Sequence, residues 1–143
     1  AFIIGAGGVS PSIIFALKNM GCEEISLTNR TLKKPEKIKE TFKDIIIQKW
    51  GSIPEFDIVI NATSVGLKNE NFNLNFDNID NNKFFYDVIY NPKETNFLYE
   101  ARKIGNLTEN GKMMFIYQAH QAFSVWHKIF PVIDDDVIEI VEK

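Results

Sequence analysis

The 143 residues include one cysteine, two histidines and three methionines. Cys22 has no second cysteine to pair with internally, and without a CxxC pair or a Cys/His cluster the sequence supports no structural zinc site and no other metal site. The thiol reads as an inert, partly buried side chain. Long apolar runs are also missing. None approaches the roughly 20 residues that a membrane span needs, and the opening "AFII" is too short for a signal peptide. Nor is there an excess of positive charge: Lys and Arg number 16 against 19 Asp and Glu, a net charge of −3. That balance provides no broad basic surface, so nucleic acid is not expected as a partner, and any anion site must be local. The expected setting is reducing and cytoplasmic, with no membrane partner.

What is present is the composition of one globular domain, 45% hydrophobic and 24% charged. The chain opens without a methionine, on an apolar strand that runs into glycines, "AFIIGAGGVSPSII". This leads us to expect one domain, residues 1–143, of a longer protein. Short apolar runs alternate with segments of helical spacing. They predict strands over 1–4, 24–28, 45–48, 58–61, 84–87 and 106–108, and helices over 11–20, 35–42, 95–104, 113–127 and 135–142. Ser10 is expected to cap the first helix, with Pro11 in its first turn and Gly21 ending it. Residues 68–82, rich in asparagine, read as a long surface loop, and no repeat or linker divides the chain. The alternation is that of an α/β, Rossmann-like doubly wound fold. It should have a mostly parallel six-stranded sheet, helices on both faces and strand order 3-2-1-4-5-6.

In "FIIGAGGVS" a strand runs through Gly5, Ala6, Gly7, Gly8 and Val9 into a helix, the context in which a GxGxx pattern points to a dinucleotide. Gly5 makes the tight turn, and Gly7 lets the backbone approach a pyrophosphate at the helix N-terminus. Ser10 stands where the third small residue is expected, a departure from GxGxxG. By itself the turn also fits a plain strand-to-helix connection. The end of the second strand decides between the two. An NAD-selective domain usually places Asp or Glu there for the ribose 2′-hydroxyl, but here "TNRTLKK" has Asn29, followed by Arg30, Thr31, Lys33 and Lys34. A guanidinium pairs with a 2′-phosphate that an acid would repel, which points to NADP. Lys33 and Lys34 fit an exposed helix start equally well.

The segments "GAGG", "NRT", "DIVINATSVGL", "DVIYNPKETNFLYEARKIG" and "GKMMFIYQAHQAFSVW" together make the chain resemble the shikimate dehydrogenases, in that family's order and spacing. The resemblance implies NADPH-dependent reduction of 3-dehydroshikimate to shikimate, on the route to aromatic amino acids. It also implies that these residues are the C-terminal, cofactor-binding half of a two-domain enzyme. A related quinate/shikimate-type dehydrogenase and a non-catalytic NADP(H)-binding module are the alternatives, and a homodimer is left open.

Ligands of an open parallel sheet bind beyond the carboxyl ends of its strands, which places Asn61, Ala62, Thr63 and Ser64 along the cofactor and Val88 and Ile89 at the nicotinamide. Thr63 and its neighbours could also be a plain strand cap. The resemblance further implies a substrate contact from Tyr90, a backbone contact to the nicotinamide amide from Gly111, packing of Met114 against the ring, and a substrate hydrogen bond from Gln118. Phe123 and Trp126 are spaced for burial. The family's catalytic Lys and Asp belong to the N-terminal domain, so no catalytic residue is assigned here. Lys93 is expected to face solvent, and His120 and His127 to be structural or exposed. Pro131 should break the long helix ahead of a short, acid-capped one.

Overall fold

Short runs of β-branched and aromatic residues build the sheet of the computed structural model, which describes residues 1–68, 70–76 and 79–142. The strands are β1 (Phe2–Ile4), β2 (Ser26–Thr28), β3 (Ile46–Gln48), β4 (Ile58–Asn61), β5 (Phe84–Asp87) and β6 (Leu107–Glu109). They pair in the order β3-β2-β1-β4-β5-β6, and every pairing is parallel. The helices are α1 (Ser10–Asn19), α2 (Lys33–Thr41), α3 (Asn96–Lys103), α4 (Lys112–His127) and α5 (Asp135–Glu142). The expected doubly wound α/β fold is therefore present, with the sheet parallel throughout.

Successive residues of a strand face opposite sides of a sheet, so a strand covered on both sides must be apolar at consecutive positions. β1 obeys this. Ile3 joins Ile14 and Leu17 of α1, Leu27 and Ile60 on one face, where Ile38 of α2 also packs. Phe2 and Ile4 join Val59, Phe85 and α3's Leu98 and Ala101 on the other. This second face is closed differently from expectation. Between β4 and β5 no helix occurs among the described residues. Instead Phe72, Leu74 and Phe76, two residues apart, pack against the cluster, with Phe72 5.6 Å from Phe97 and Phe76 5.7 Å from Phe85 between ring centroids. The described part of the asparagine-rich stretch forms no helix or strand, as expected of a loop, but half-buried Phe72, Leu74 and Phe76 make it a strap over the core. The part of that expectation covering 69, 77 and 78 lies outside the described residues.

Two local expectations are corrected. Val9 is the N-cap of α1, and Ser10 is the first helical residue. Its hydroxyl serves the turn before the helix instead: the buried Oγ donates to the Gly5 carbonyl at 2.8 Å and ties the glycine turn to the helix. Removing a net hydrogen bond of this kind costs about 1 kcal/mol, and the acceptor is left buried. Ser10→Ala should therefore lower the urea midpoint by the equivalent of about 1 kcal/mol, and an unchanged midpoint would show that this bond adds nothing.

Phe123 and Trp126 are also not core residues. They are 42% and 76% exposed, because the buried positions of α4 are Ile116 and Ser124. Helical spacing locates a stripe, but the stripe that meets the domain is the one carrying the smaller side chains. α4 ends on Lys128 in the left-handed region (φ 57°), three residues before Pro131, and Asp134 accepts the Val137 N–H at 3.1 Å to cap α5. No helix among the described residues is long and apolar enough to cross a membrane.

Candidate functional site

The strand order reverses between β1 and β4, so the turns that follow these strands part at the carboxyl edge of the sheet and leave a crevice. Ala62 N–H donates to the Ile4 carbonyl at 2.8 Å, which holds the two strand ends side by side. Gly5 follows at φ +105°, a conformation that L side chains rarely adopt. A Cβ there would also lie 2.6 Å from Thr63 Cγ2 and 2.8 Å from the Ala62 carbonyl, so glycine is required twice over. Gly7 and Gly8 are exposed, and a Cβ on Gly8 would meet nothing within 4 Å. The N-terminal end of α1 thus faces open space through bare backbone.

The crevice is a cleft of about 510 Å³ that brings together Gly5, Ala6, Gly7, Asn29, Arg30, Lys34, Ala62, Thr63 and Ser64. Among the described residues its lining includes two cations and no carboxylate. Asn29 shapes this end rather than projecting freely. Its Oδ1 accepts the Ala6 N–H at 3.2 Å, and its Nδ2 donates to the carbonyl and Oγ1 of Thr31 at 2.9 and 3.0 Å. An aspartate could not make the second pair of bonds, since it has no N–H to donate. Arg30 is left exposed at the mouth beside Lys34. Thr31 is thereby fixed as Asn29's partner.

Asn61 departs from expectation. It is fully buried at the end of β4 and cannot lie along a ligand. Its Oδ1 accepts from both the N–H (2.9 Å) and the Oγ1 (2.8 Å) of Thr63, and its Nδ2 donates to the Val65 carbonyl (3.0 Å) and to Asp87 Oδ1 (2.9 Å). Thr63 Oγ1 in turn accepts the Val65 N–H at 3.0 Å. Asp87 ends β5 opposite Asn61 and is itself fully buried. It accepts Thr95 Oγ1 at 2.6 Å and the Ile89 N–H at 3.0 Å. Burial pushes the Asp87 carboxyl above its ordinary range, while the bonds from Thr95, Ile89 and Asn61 pull it back.

A second group of expected residues gathers at the end of β5. Gly111 N–H donates to the Ile89 carbonyl at 3.1 Å, and a Cβ on Gly111 would fall 2.1 Å from the Val88 carbonyl oxygen. The start of α4 therefore touches the β5 turn at a point only glycine allows. Tyr90, half-buried, stacks on Phe115 of α4 with centroids 4.4 Å apart and planes 22° from parallel. Met114 is half-buried and Gln118 exposed on the same helix. Gly8, Val9, Thr31, Val88, Tyr90, Gly111, Met114 and Gln118 do not line the 510 Å³ cleft. The expected residues thus form two groups, one at the β1/β4 crevice and one where β5 meets α4.

Trp50, Asn71, Phe72 and Asn73 line the cleft without having been singled out. Trp50 had a signal, since it stands just beyond β3, whose carboxyl end lies at the same edge of the sheet. The strap residues had none, because nothing in an asparagine-rich segment tells where it folds back. His120 Nε2 is 2.8 Å from the Pro131 carbonyl, and His127 lies against Phe123. Lys93 is exposed, and its carbonyl accepts from Asn110 Nδ2. Among the described residues no cluster of His, Cys, Asp or Glu is suited to a metal ion.

The model of the shikimate / quinate 5-dehydrogenase family matches residues 1–96, which carry the glycine turn, the Asn29–Arg30 loop and the ends of β4 and β5. The chain belongs to that family. The shikimate dehydrogenase (NADP(+)) of Pelagibacter ubique is 55% identical over 143 residues, which are 99% of this chain and 54% of the relative. The crystal structure of shikimate dehydrogenase from Aquifex aeolicus superimposes with a TM-score of 0.81 at 32% identity, covering 98% of this chain and 52% of that one. The Thermus thermophilus enzyme, solved in complex with NADP(H) and shikimate, gives 0.82 at 28% identity, with 99% and 53% covered. This family member therefore spans about half the length of the curated relatives it matches.

Proposed function

We propose that the chain is the cofactor-binding domain of an NADP-dependent shikimate dehydrogenase, which reduces 3-dehydroshikimate to shikimate with NADPH. A further domain would supply the opposite wall of the substrate cleft and the proton donor. The observation that carries this reading is the cleft at the β1/β4 reversal, lined by Arg30 and Lys34 and, among the described residues, by no carboxylate. That donor set fits a polyanion carrying an extra 2′-phosphate. It does not fit a ribose 2′-hydroxyl that needs an acceptor acid. The crevice between the two turns and the bare backbone at Gly7 and Gly8 fit a pyrophosphate approaching the α1 N-terminus.

NADPH brings the hydride to this reaction, and the residues of the chain bind and orient. Arg30, with Lys34, meets the 2′-phosphate; Gly7, Gly8 and Val9 receive the pyrophosphate; and Ala62, Thr63 and Ser64 border the adenosine side. Val88, Gly111 and Met114 frame the nicotinamide, with Tyr90 and Gln118 reaching the substrate. A ketone reduction also needs a proton donor within hydrogen-bond reach of the carbonyl oxygen, and none of these residues is assigned that role. The chain alone should accordingly bind NADP(H) without appreciable turnover. The reading includes a cytoplasmic location and leaves a homodimer open.

The test is a pair of fluorescence titrations of the chain at moderate salt, one with NADPH and one with NADH. A hydrogen bond to a charged group contributes roughly 1.5–3 kcal/mol, so the preference for NADPH should be on the order of 10- to 100-fold and should collapse in Arg30→Ala. Equal affinity for the two cofactors would remove the 2′-phosphate from the reading. Absent binding would remove the cofactor.

A further inference from the structure

An ionisable side chain at zero exposure, such as one at the end of β5, is costly unless hydrogen bonds compensate it. Asp87 sits there nevertheless, between the two groups of site residues. A carboxylate can only accept hydrogen bonds, whereas an asparagine side chain offers a donor end and an acceptor end. Asn61, whose amide is oriented by the Thr63 N–H on its oxygen and the Val65 carbonyl on its N–H₂, presents that same N–H₂ to Asp87. Thr63 in turn rests its methyl group where a Cβ of Gly5 would be. One side of the carboxylate thus reaches, through Asn61 and Thr63, to the glycine turn.

The other side reaches α3 and α4. Thr95 is the N-cap of α3, where a threonine hydroxyl ordinarily accepts from the first turn of its own helix. Here it makes no cap bond and donates to Asp87 Oδ2 instead, at 2.6 Å. Ile89 N–H is held by Oδ1, and the Ile89 carbonyl receives Gly111 N–H from the start of α4. The carboxylate thereby ties the start of α3 and the turn carrying Val88, Ile89 and Tyr90 to Asn61 at the end of β4, beside the direct bond from Val88 N–H to the Asn61 carbonyl at 3.0 Å.

We propose that Asp87 is a positioning residue: it sets the β5 turn against the β4 turn so that both halves of one dinucleotide are met together. The proposal rests on the NADP reading above. It predicts a loss confined to the nicotinamide end, since Thr63 keeps its direct bonds to Asn61 when Asp87 is removed, whereas Ile89 and Thr95 lose theirs.

The experiment compares the wild-type chain with Asp87→Ala and Asp87→Asn, after checking by circular dichroism and thermal melting that each is folded. Saturation-transfer NMR with NADP reads adenine and nicotinamide protons separately, and calorimetry with adenosine 2′,5′-bisphosphate reads the adenosine end alone. In Asp87→Ala the nicotinamide signal should fall roughly tenfold relative to adenine H8, the effect expected for one lost charge-assisted bond. The affinity for the bisphosphate should stay within about threefold. Asp87→Asn, which keeps an oxygen for Asn61 and Ile89, should recover part of the nicotinamide signal. Parallel loss of both signals, or loss of neither, overturns the proposal. Should Asp87→Ala not fold, Thr95→Val, which deletes one donor and leaves the Ile89 bond in place, should give a smaller loss of the same nicotinamide-selective kind, and loss of both signals or of neither is equally fatal. If the wild-type chain binds neither NADP nor the bisphosphate, the NADP reading itself fails and this inference falls with it.

Discussion

Gly111→Ala is expected to destabilise the chain by about 2–4 kcal/mol and to lower its melting temperature by on the order of 10 °C, although it adds a single methyl group. The residue has an ordinary φ of −77°, so backbone strain is not the reason. The reason is contact. The new Cβ would fall 2.1 Å from the oxygen, 2.5 Å from the carbon and 3.0 Å from the Cα of Val88, all of them backbone atoms. A clashing side chain can change rotamer, but a peptide group paired into a turn cannot. Relief requires the start of α4 to back away, which stretches the Gly111 N–H bond to Ile89 and disturbs the stack of Tyr90 on Phe115. The overpacking accounts for roughly 1–3 kcal/mol and the lost bond for about another 1. Binding should suffer with it. NADPH affinity should fall by roughly tenfold or more, because Val88 and Gly111 move apart at the proposed nicotinamide edge. Urea unfolding and a fluorescence titration of the same variant check both halves. A stability within about 0.5 kcal/mol of wild type would mean that α4 does not approach β5 this closely.

The elements most legible in the sequence are those whose reason is local. β1, β4 and β5 are short apolar runs between turn residues, and the structure finds them at Phe2–Ile4, Ile58–Asn61 and Phe84–Asp87. The glycine turn and the missing acid after β2 were legible for the same reason, since each concerns a few adjacent residues. Three things were hidden because their cause lies elsewhere in the fold. Phe72, Leu74 and Phe76 alternate like a strand, but the surrounding asparagines read as turn formers, and only the face left uncovered between β4 and β5 explains why they pack inward. Trp126 has helical spacing with Phe123, yet burial depends on which side of α4 meets the domain. Asp87 looks like an ordinary strand-end acid. Its partners are 26 and 8 residues away, and only the pairing of β4 with β5 and the path of the following loop bring Asn61 and Thr95 to it.

The strap makes Phe85 the side chain whose loss should be felt most. Phe85 is 1% exposed at the middle of β5 and has three ring neighbours: Phe56 at 5.9 Å, Phe76 at 5.7 Å and Phe97 at 5.3 Å. These come from the segment before β4, from the strap and from α3, so one ring touches three pieces of chain, two of which also meet each other where Phe76 and Phe97 lie 5.8 Å apart. Truncating a buried phenylalanine costs about 3–5 kcal/mol, the sum of lost transfer energy and the cavity left behind. Domains of this size have only about 5–15 kcal/mol in hand, so Phe85→Ala should remove a large share of the stability. On one side the cavity is covered by the strap, which has no regular secondary structure among the described residues and rests on Phe72, Leu74 and Phe76. Loosening should therefore start in the strap. Limited trypsin digestion should cut Phe85→Ala first after Lys68 or Lys83, faster than wild type, while α1 and β2, whose Ile14, Leu17 and Leu27 pack in the other cluster, stay protected. A urea midpoint lowered by less than the equivalent of about 1.5 kcal/mol, with an unchanged cleavage pattern, would mean that the strap holds the second face without Phe85.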